Sequence, residues 1–120
     1  MSLSQISAAG VSVWLDDLSR ERMIKGGKAT YLPDLITNDF VVGVTTNPAI
    51  FSASIAGSSL YQEDIAALYR EGRDAEGVIT GLTTSDVKSA CKLFLPAYER
   101  SHGVDGRVSI EVDPRLARDT

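Results

Sequence analysis

A single cysteine, Cys91, and a single histidine, His102, stand in these 120 residues. One thiol excludes an intrachain disulfide, and no CxxC, HExxH or zinc-knuckle spacing exists to hold a transition metal. The lone thiol fits a reducing, cytoplasmic compartment, and no bound metal is expected. Long apolar runs are missing as well. Nothing approaches the roughly 20 residues that span a bilayer, and residues 1–4 carry no basic stretch of the kind that opens an export signal. Neither membrane insertion nor secretion is predicted. Basic residues are in deficit, 12 Lys and Arg against 16 Asp and Glu, for a formal charge of −4. That leaves no positive footprint for phosphate backbones, so nucleic acid is not an expected partner. Loops of the GxxxxGK[ST] and GxGxxG kinds and EF-hand spacings are absent, and with them any sign of a common cofactor.

What is present is an ordinary globular composition, 43% hydrophobic and 23% charged, which argues against a disordered chain. No internal repeat, low-complexity tract or linker interrupts it. Three β-branched runs, 11–16, 40–46 and 107–113, are separated by segments with helical periodicity, so the order reads β-α-β-α-β. Side chains alternate across a strand, which splits each run into two faces. Val11, Val13 and Leu15 oppose Ser12, Trp14 and Asp16. Val42 and Val44 oppose Val41, Gly43, Thr45 and Asn47. Val108, Ile110 and Val112 oppose Arg107, Ser109, Glu111 and Asp113. An open doubly wound sheet has helices on both sides and is apolar on both. A (β/α) barrel covers only the outer face, and polar residues gather on the inner face at the C-terminal strand ends. Asp16, Asn47 and Glu111 stand at that end each time, so the pattern favours three consecutive barrel strands with a site above them.

Helix signals fill the gaps. Asp17 is placed to cap a helix over 18–25 closed by Gly26 and Gly27, and a short piece over 33–37 precedes Asn38. Asn47 followed by Pro48 reads as a cap and a first helical position. Leu60, Ile65, Leu68 and Tyr69 form an apolar stripe stopped by Gly72. Asp74 opens a turn or two through Ile79. Ser85 or Asp86 then starts a longer helix carrying Val87, Ala90, Cys91, Phe94 and Leu95, kinked or ended near Pro96, with His102 and Gly103 as its stop. A complete barrel needs about 250 residues. The expectation is therefore an α/β fold in which 1–120 form one unit, the N-terminal part (about three βα units) of a (β/α)8 TIM barrel.

Three stretches, Val13-Trp14-Leu15-Asp16-Asp17-Leu18-Ser19-Arg20, Gly43-Val44-Thr45-Thr46-Asn47-Pro48 and Gly106-Arg107-Val108-Ser109-Ile110-Glu111-Val112-Asp113, resemble the first three strands of transaldolases, particularly the longer actinobacterial type. The likeness covers essentially the whole chain, including the spacing between the stretches. It implies a cytoplasmic barrel enzyme of the pentose phosphate pathway. Such enzymes move a dihydroxyacetone unit from a ketose phosphate such as sedoheptulose 7-phosphate to an aldose phosphate such as glyceraldehyde 3-phosphate. It implies no metal or organic cofactor, since a lysine amine forms a Schiff base with the ketose and serves as electron sink. The resemblance makes Asp16 the carboxylate that takes the proton of the sugar hydroxyl during carbon–carbon cleavage. Glu111 becomes the acid and base of the carbinolamine and imine steps through a water that Thr45 helps to hold, and Asn47 a hydrogen-bonding partner of the dihydroxyacetone moiety. The family's Schiff-base lysine lies on the fourth strand. Lys25 and Lys28 flank a glycine turn and Lys88 and Lys92 sit on a helix, so the chain by itself is expected to be inactive.

Each of these residues has a plainer role beside it. Asp16 and Asp17 could both simply end a strand and cap a helix, but alternation sends Asp17 toward the helix layer and leaves Asp16 pointing inward. Asn47 before Pro48 is a standard helix start, and Thr45 could be only a β-former. An inward Glu111 must be hydrogen-bonded, paired or solvated, and Arg107 or Arg115 could pair with it. Asp113 reads as structural, Cys91 as a core residue, His102 as a helix end, and Trp14 as packing beneath the site. Two other functions remain open on the sequence: a non-catalytic domain that self-associates through the exposed edges of its outer strands, and a different barrel aldolase or lyase.

Overall fold

The computed structural model describes residues 1–111 and 117–118. Val112, Asp113 and Arg115, named above, lie outside the described residues. Three parallel strands, β1 (Val13–Leu15), β2 (Val41–Thr45) and β3 (Arg107–Ser109), form a sheet in the order β1-β2-β3. Helices α2 (Arg20–Met23) and α3 (Leu32–Asn38) carry the first crossover. The second runs through α4 (Pro48–Gly57), a 3-10 turn (Ser59–Tyr61), α5 (Gln62–Arg70) and α6 (Ala75–Arg100). The strands are the expected ones, each shorter than its run.

Helices cover one face. Leu18, Leu32, Val41, Val44, Ala90 and Phe94 are buried together, with Val13, Leu15, Leu35, Val87 and Val108 packed around them. The opposite face carries Trp14, Gly43, Thr45, Arg107 and Ser109; at its β3 edge Cys91, Leu95 and Tyr98 of α6 border a cleft with Trp14, Arg107 and Ser109. This one-sided sheet is the arc expected of the first units of a (β/α)8 barrel. Its radius of gyration, 15.7 Å, exceeds the roughly 13.6 Å of a compact 120-residue domain, as an open arc should.

Strict alternation fails once. Val13 pairs with Val41, but Trp14 pairs with Gly43, so Val42 is an extra residue in β2. The bulge returns Val41 to the helix-covered side with Val44, against the expectation that Val41 shares the face of Gly43. Beyond it the alternation resumes. Gly43 then lies under the indole of Trp14, where a Cβ would come within 2.4 Å of the ring. Gly106 is a second obligatory glycine. Its φ is +76°, and a Cβ there would sit 2.3 Å from the Tyr98 nitrogen, so β3 approaches α6 only through a residue without a side chain.

Two helical expectations are corrected. Residues 74–100 hold one helix, with Asp74 as its cap accepting from the Gly77 nitrogen, and no new start at Ser85 or Asp86. The Asp86 side chain turns into the protein instead of capping. Pro96 is continued through, because the carbonyl it leaves unbonded, one turn earlier, lies on the exposed side at Lys92. Helix α2 is shorter than 18–25, and Asp17 does not cap it. Ser19 stands at the N-cap without a side-chain bond, and Asp17 receives Arg22 at 2.8 Å from Nε. Cys91 is exposed, not core. An unanticipated helix, α1 (Leu3–Ala8), precedes β1. Ser2 and Gln5 close a capping box on it.

Candidate active site

The loop after β1 starts at Asp16, and its geometry comes from both sides. Behind it, Leu18 is driven into the helix-side core at 1% exposure. In front, the Thr45 hydroxyl at the end of β2 donates to Asp16 Oδ1 at 2.5 Å. Asp16 and Thr45 are therefore brought together on the face away from the buried core, as the alternation argument requires. Asp17 turns away to its pair with Arg22, which ends its claim to the inward position.

The end of β2 also organises its other neighbour. The Thr46 nitrogen donates to the Ser109 carbonyl at 3.0 Å, and the buried Thr46 hydroxyl accepts from the Glu111 nitrogen at 2.8 Å. Thr46 thus fixes the main chain of Glu111 just past β3. Sequence reasoning missed Thr46: of these three it singled out Thr45 and Glu111 only, and the structure bonds the Thr45 hydroxyl to Asp16 and the Glu111 nitrogen to Thr46. Among the described residues no ion pair involves Glu111. Arg107 is engaged elsewhere, its Nε donating to the Gly103 carbonyl at 2.9 Å and its guanidinium lying 5.6 Å from the Tyr98 ring centre.

Asn47 caps α4. Its Oδ1 accepts from the Ala49 and Ile50 nitrogens at 3.1 and 3.3 Å. The cap occupies the acceptor end of the amide, so its Nδ2 group remains as the end able to donate to a hydroxyl. Asp16, Asn47 and Glu111 follow β1, β2 and β3 respectively, at the C-terminal edge of the sheet.

Behind the loop lies a polar cluster that no local pattern announces. Arg20 Nε donates to Asp86 Oδ1 at 2.7 Å, and the Tyr61 hydroxyl donates to Asp86 Oδ2 at 2.8 Å. The Arg20 backbone nitrogen donates to the Tyr61 oxygen at 2.9 Å, and the Arg20 guanidinium lies 4.4 Å from the Tyr61 ring centre. A second arm of Arg20 reaches Asp64 at 2.7 Å and the Leu60 carbonyl at 3.0 Å. Burial pushes the Asp86 carboxyl above its ordinary value, against the pull of its bonds to Arg20 and Tyr61. Burial likewise raises the Tyr61 phenol. For Arg20 burial acts downward, and Asp86 and Asp64 outweigh it to leave the guanidinium raised. Nearby, Glu21 is held low by bonds from the Lys28 nitrogen and the Ser58 hydroxyl.

Lys25, Lys28, Lys88 and Lys92 are all exposed and lie on none of the three strands. Among the described residues no group of three or more His, Cys, Asp and Glu side chains is arranged to hold a metal ion. No helix among them is long and apolar enough to cross a membrane.

Residues 13–120 match the family model described as transaldolase/fructose-6-phosphate aldolase. Over 119 residues, 99% of this chain, the sequence is 53% identical to proteins named transaldolase from Mycobacterium tuberculosis (strain ATCC 25618 / H37Rv) and Mycolicibacterium smegmatis. It is 51% identical to the one from Mycobacterium marinum over the same share. The matched stretch is 31% of each relative, so the chain spans about a third of their length.

Proposed function

The chain belongs to the transaldolase/fructose-6-phosphate aldolase family, and on that premise we propose that it carries the acid, base and hydroxyl-binding part of a transaldolase. The reaction is transfer of a dihydroxyacetone unit, sedoheptulose 7-phosphate and glyceraldehyde 3-phosphate giving erythrose 4-phosphate and fructose 6-phosphate. It belongs to the pentose phosphate pathway in the cytoplasm. A lysine amine supplied from outside these 120 residues forms the Schiff base, because the four lysines present lie away from the strand ends.

The observation that carries the reading is the Thr45–Asp16 hydrogen bond at the C-terminal edge of the sheet, on the face away from the buried core. With Oδ1 engaged, Asp16 Oδ2 is the oxygen left to accept the proton of the hydroxyl next to the bond that breaks. As that proton moves, the hydroxyl becomes an aldehyde carbonyl and the electrons of the carbon–carbon bond pass into the protonated imine. Glu111 exchanges protons with the carbinolamine through a water. Thr45 has committed its hydrogen to Asp16 and holds that water as an acceptor. Asn47 Nδ2 donates to a hydroxyl of the dihydroxyacetone unit. Two carboxylates in separate surroundings divide the work, Asp16 at cleavage and Glu111 at the imine.

Alone the chain is inactive, and the open edges of β1 and β3 are where it self-associates. Transfer is tested by joining residues 1–120 to the remaining part of the Mycolicibacterium smegmatis transaldolase and supplying fructose 6-phosphate with erythrose 4-phosphate. Sedoheptulose 7-phosphate should form only when the acceptor is present. Release of glyceraldehyde 3-phosphate without acceptor would identify an aldolase instead, the other activity in the family's description.

A further inference from the structure

We propose that Tyr61 and Asp86 are positioning residues for Asp16, holding the loop after β1 from the neighbouring crossover; the catalytic part of this inference rests on the transaldolase reading. Helix α2 has four residues, and its N-cap Ser19 makes no side-chain bond. So short a helix cannot hold its own first turn. One of the first-turn backbone donors, the N1 nitrogen, is instead satisfied from elsewhere in the chain. The Arg20 nitrogen is bonded by the Tyr61 hydroxyl, 41 residues away, and that hydroxyl is itself oriented by its donation to Asp86 on α6. Arg20's side chain closes the triangle on the other Asp86 oxygen. The segment from Asp16 to Arg20 is therefore clamped at one end by Thr45 and at the other by Tyr61 and Asp86.

Stability alone does not account for the cluster. Asp86 is 2% exposed and Tyr61 fully buried, and a buried ion pair is commonly no more stabilising than well-packed apolar side chains of the same volume. What it supplies that apolar packing does not is direction. Two carboxylate oxygens, one phenol and one guanidinium fit together in a single arrangement, and that arrangement sets the entry angle of the loop four residues after Asp16.

Carboxyl carbon NMR on the 120-residue chain reads the clamp without catalysis. The Asp16 Cγ resonance should move when Thr45→Val removes its donor, and Tyr61→Phe should cut that Thr45-dependent displacement to less than half. An undiminished displacement in the Tyr61→Phe background overturns the proposal. Asp86→Asn should act in the same direction. Tyr61→Phe, which deletes a single oxygen, keeps the test available if Asp86→Asn does not fold.

In the joined full-length enzyme, Tyr61→Phe should lower kcat about tenfold while KM and borohydride trapping of the fructose 6-phosphate adduct stay unchanged, since Asp16 acts after the Schiff base forms. Equal loss of trapping and turnover would mark a fold defect and overturn the proposal. Absence of trapping in the unsubstituted joined enzyme would reject the transaldolase reading, and the carboxyl measurement would still decide the positioning claim.

Discussion

Thr45 donates its hydroxyl proton to Asp16 across the seam between β2 and β1, at the open C-terminal edge of the sheet. Because Asp16 is exposed, the bond matters for where the carboxylate points more than for how tightly the chain folds.

Thr45→Val in the joined enzyme should therefore lower turnover while changing thermal stability little. An ordinary hydrogen bond is worth about 1 kcal/mol, and felt in the orientation of the Asp16 carboxylate its loss is roughly 5-fold in rate. Thr45→Ser, which keeps the hydroxyl, should restore most of it. Steady-state kinetics on the two variants decide the matter, and a loss in Thr45→Ser with Thr45→Val unimpaired would show that the methyl group, not the hydroxyl, is what counts.

Asn47 serves as a cap through Oδ1 and is proposed to bind ligand through Nδ2, so two substitutions separate the roles. Asn47→Ala should cost about 1 kcal/mol in denaturant unfolding through loss of the cap. Asn47→Asp keeps an acceptor for the Ala49 and Ile50 nitrogens and should leave stability nearly unchanged, yet raise KM for the ketose about tenfold. An unchanged KM would remove Asn47 from the substrate site.

Gly43→Ala should displace the Trp14 indole, since the new Cβ would lie 2.4 Å from it. Overpacking of this kind costs about 1–3 kcal/mol. Trp14 is the sole tryptophan, so its emission reports the displacement directly. In a Trp14→Ala background the same substitution should cost less than half as much. Additive losses would show that Gly43 is required for backbone reasons instead.

The raised carboxyl of Asp86 gives a pH dependence with a definite sign. A folded-state value above the ordinary 3.8 means the folded protein binds the proton more readily than the unfolded chain. This contribution to stability is full below pH 3.8 and is lost as pH rises through the folded value. The difference in unfolding free energy between the unsubstituted chain and Asp86→Asn should thus shrink as pH rises from acid. A difference that grew with pH would mean the bonds from Arg20 and Tyr61 outweigh burial.

Much of this architecture was legible from period and punctuation. Alternation alone separated Asp16 from Asp17 and placed Thr45 on the Asp16 face. The Asn47–Pro48 start, the Gly72 stop and the Gly103 end followed from local backbone chemistry. What escaped was not local. The bulge at Val42 is visible only in how β1 meets β2, and Asp86 looks like a helix start unless its partner Arg20, 66 residues earlier, is known. Cys91 was assigned to the core because it neighbours Ala90 and Phe94, and the one-residue rotation that exposes it depends on which face of α6 meets the sheet. The Ser2–Gln5 capping box, by contrast, was present in the sequence as an S-x-x-Q spacing ahead of β1.

Mass spectrometry after borohydride reduction in fructose 6-phosphate tests the division of labour most directly. The 120-residue chain should keep its mass, whereas the joined enzyme should gain an adduct on a lysine outside residues 1–120, and should still gain it when Asp16→Asn has abolished turnover. An adduct on Lys25, Lys28, Lys88 or Lys92 would contradict the account.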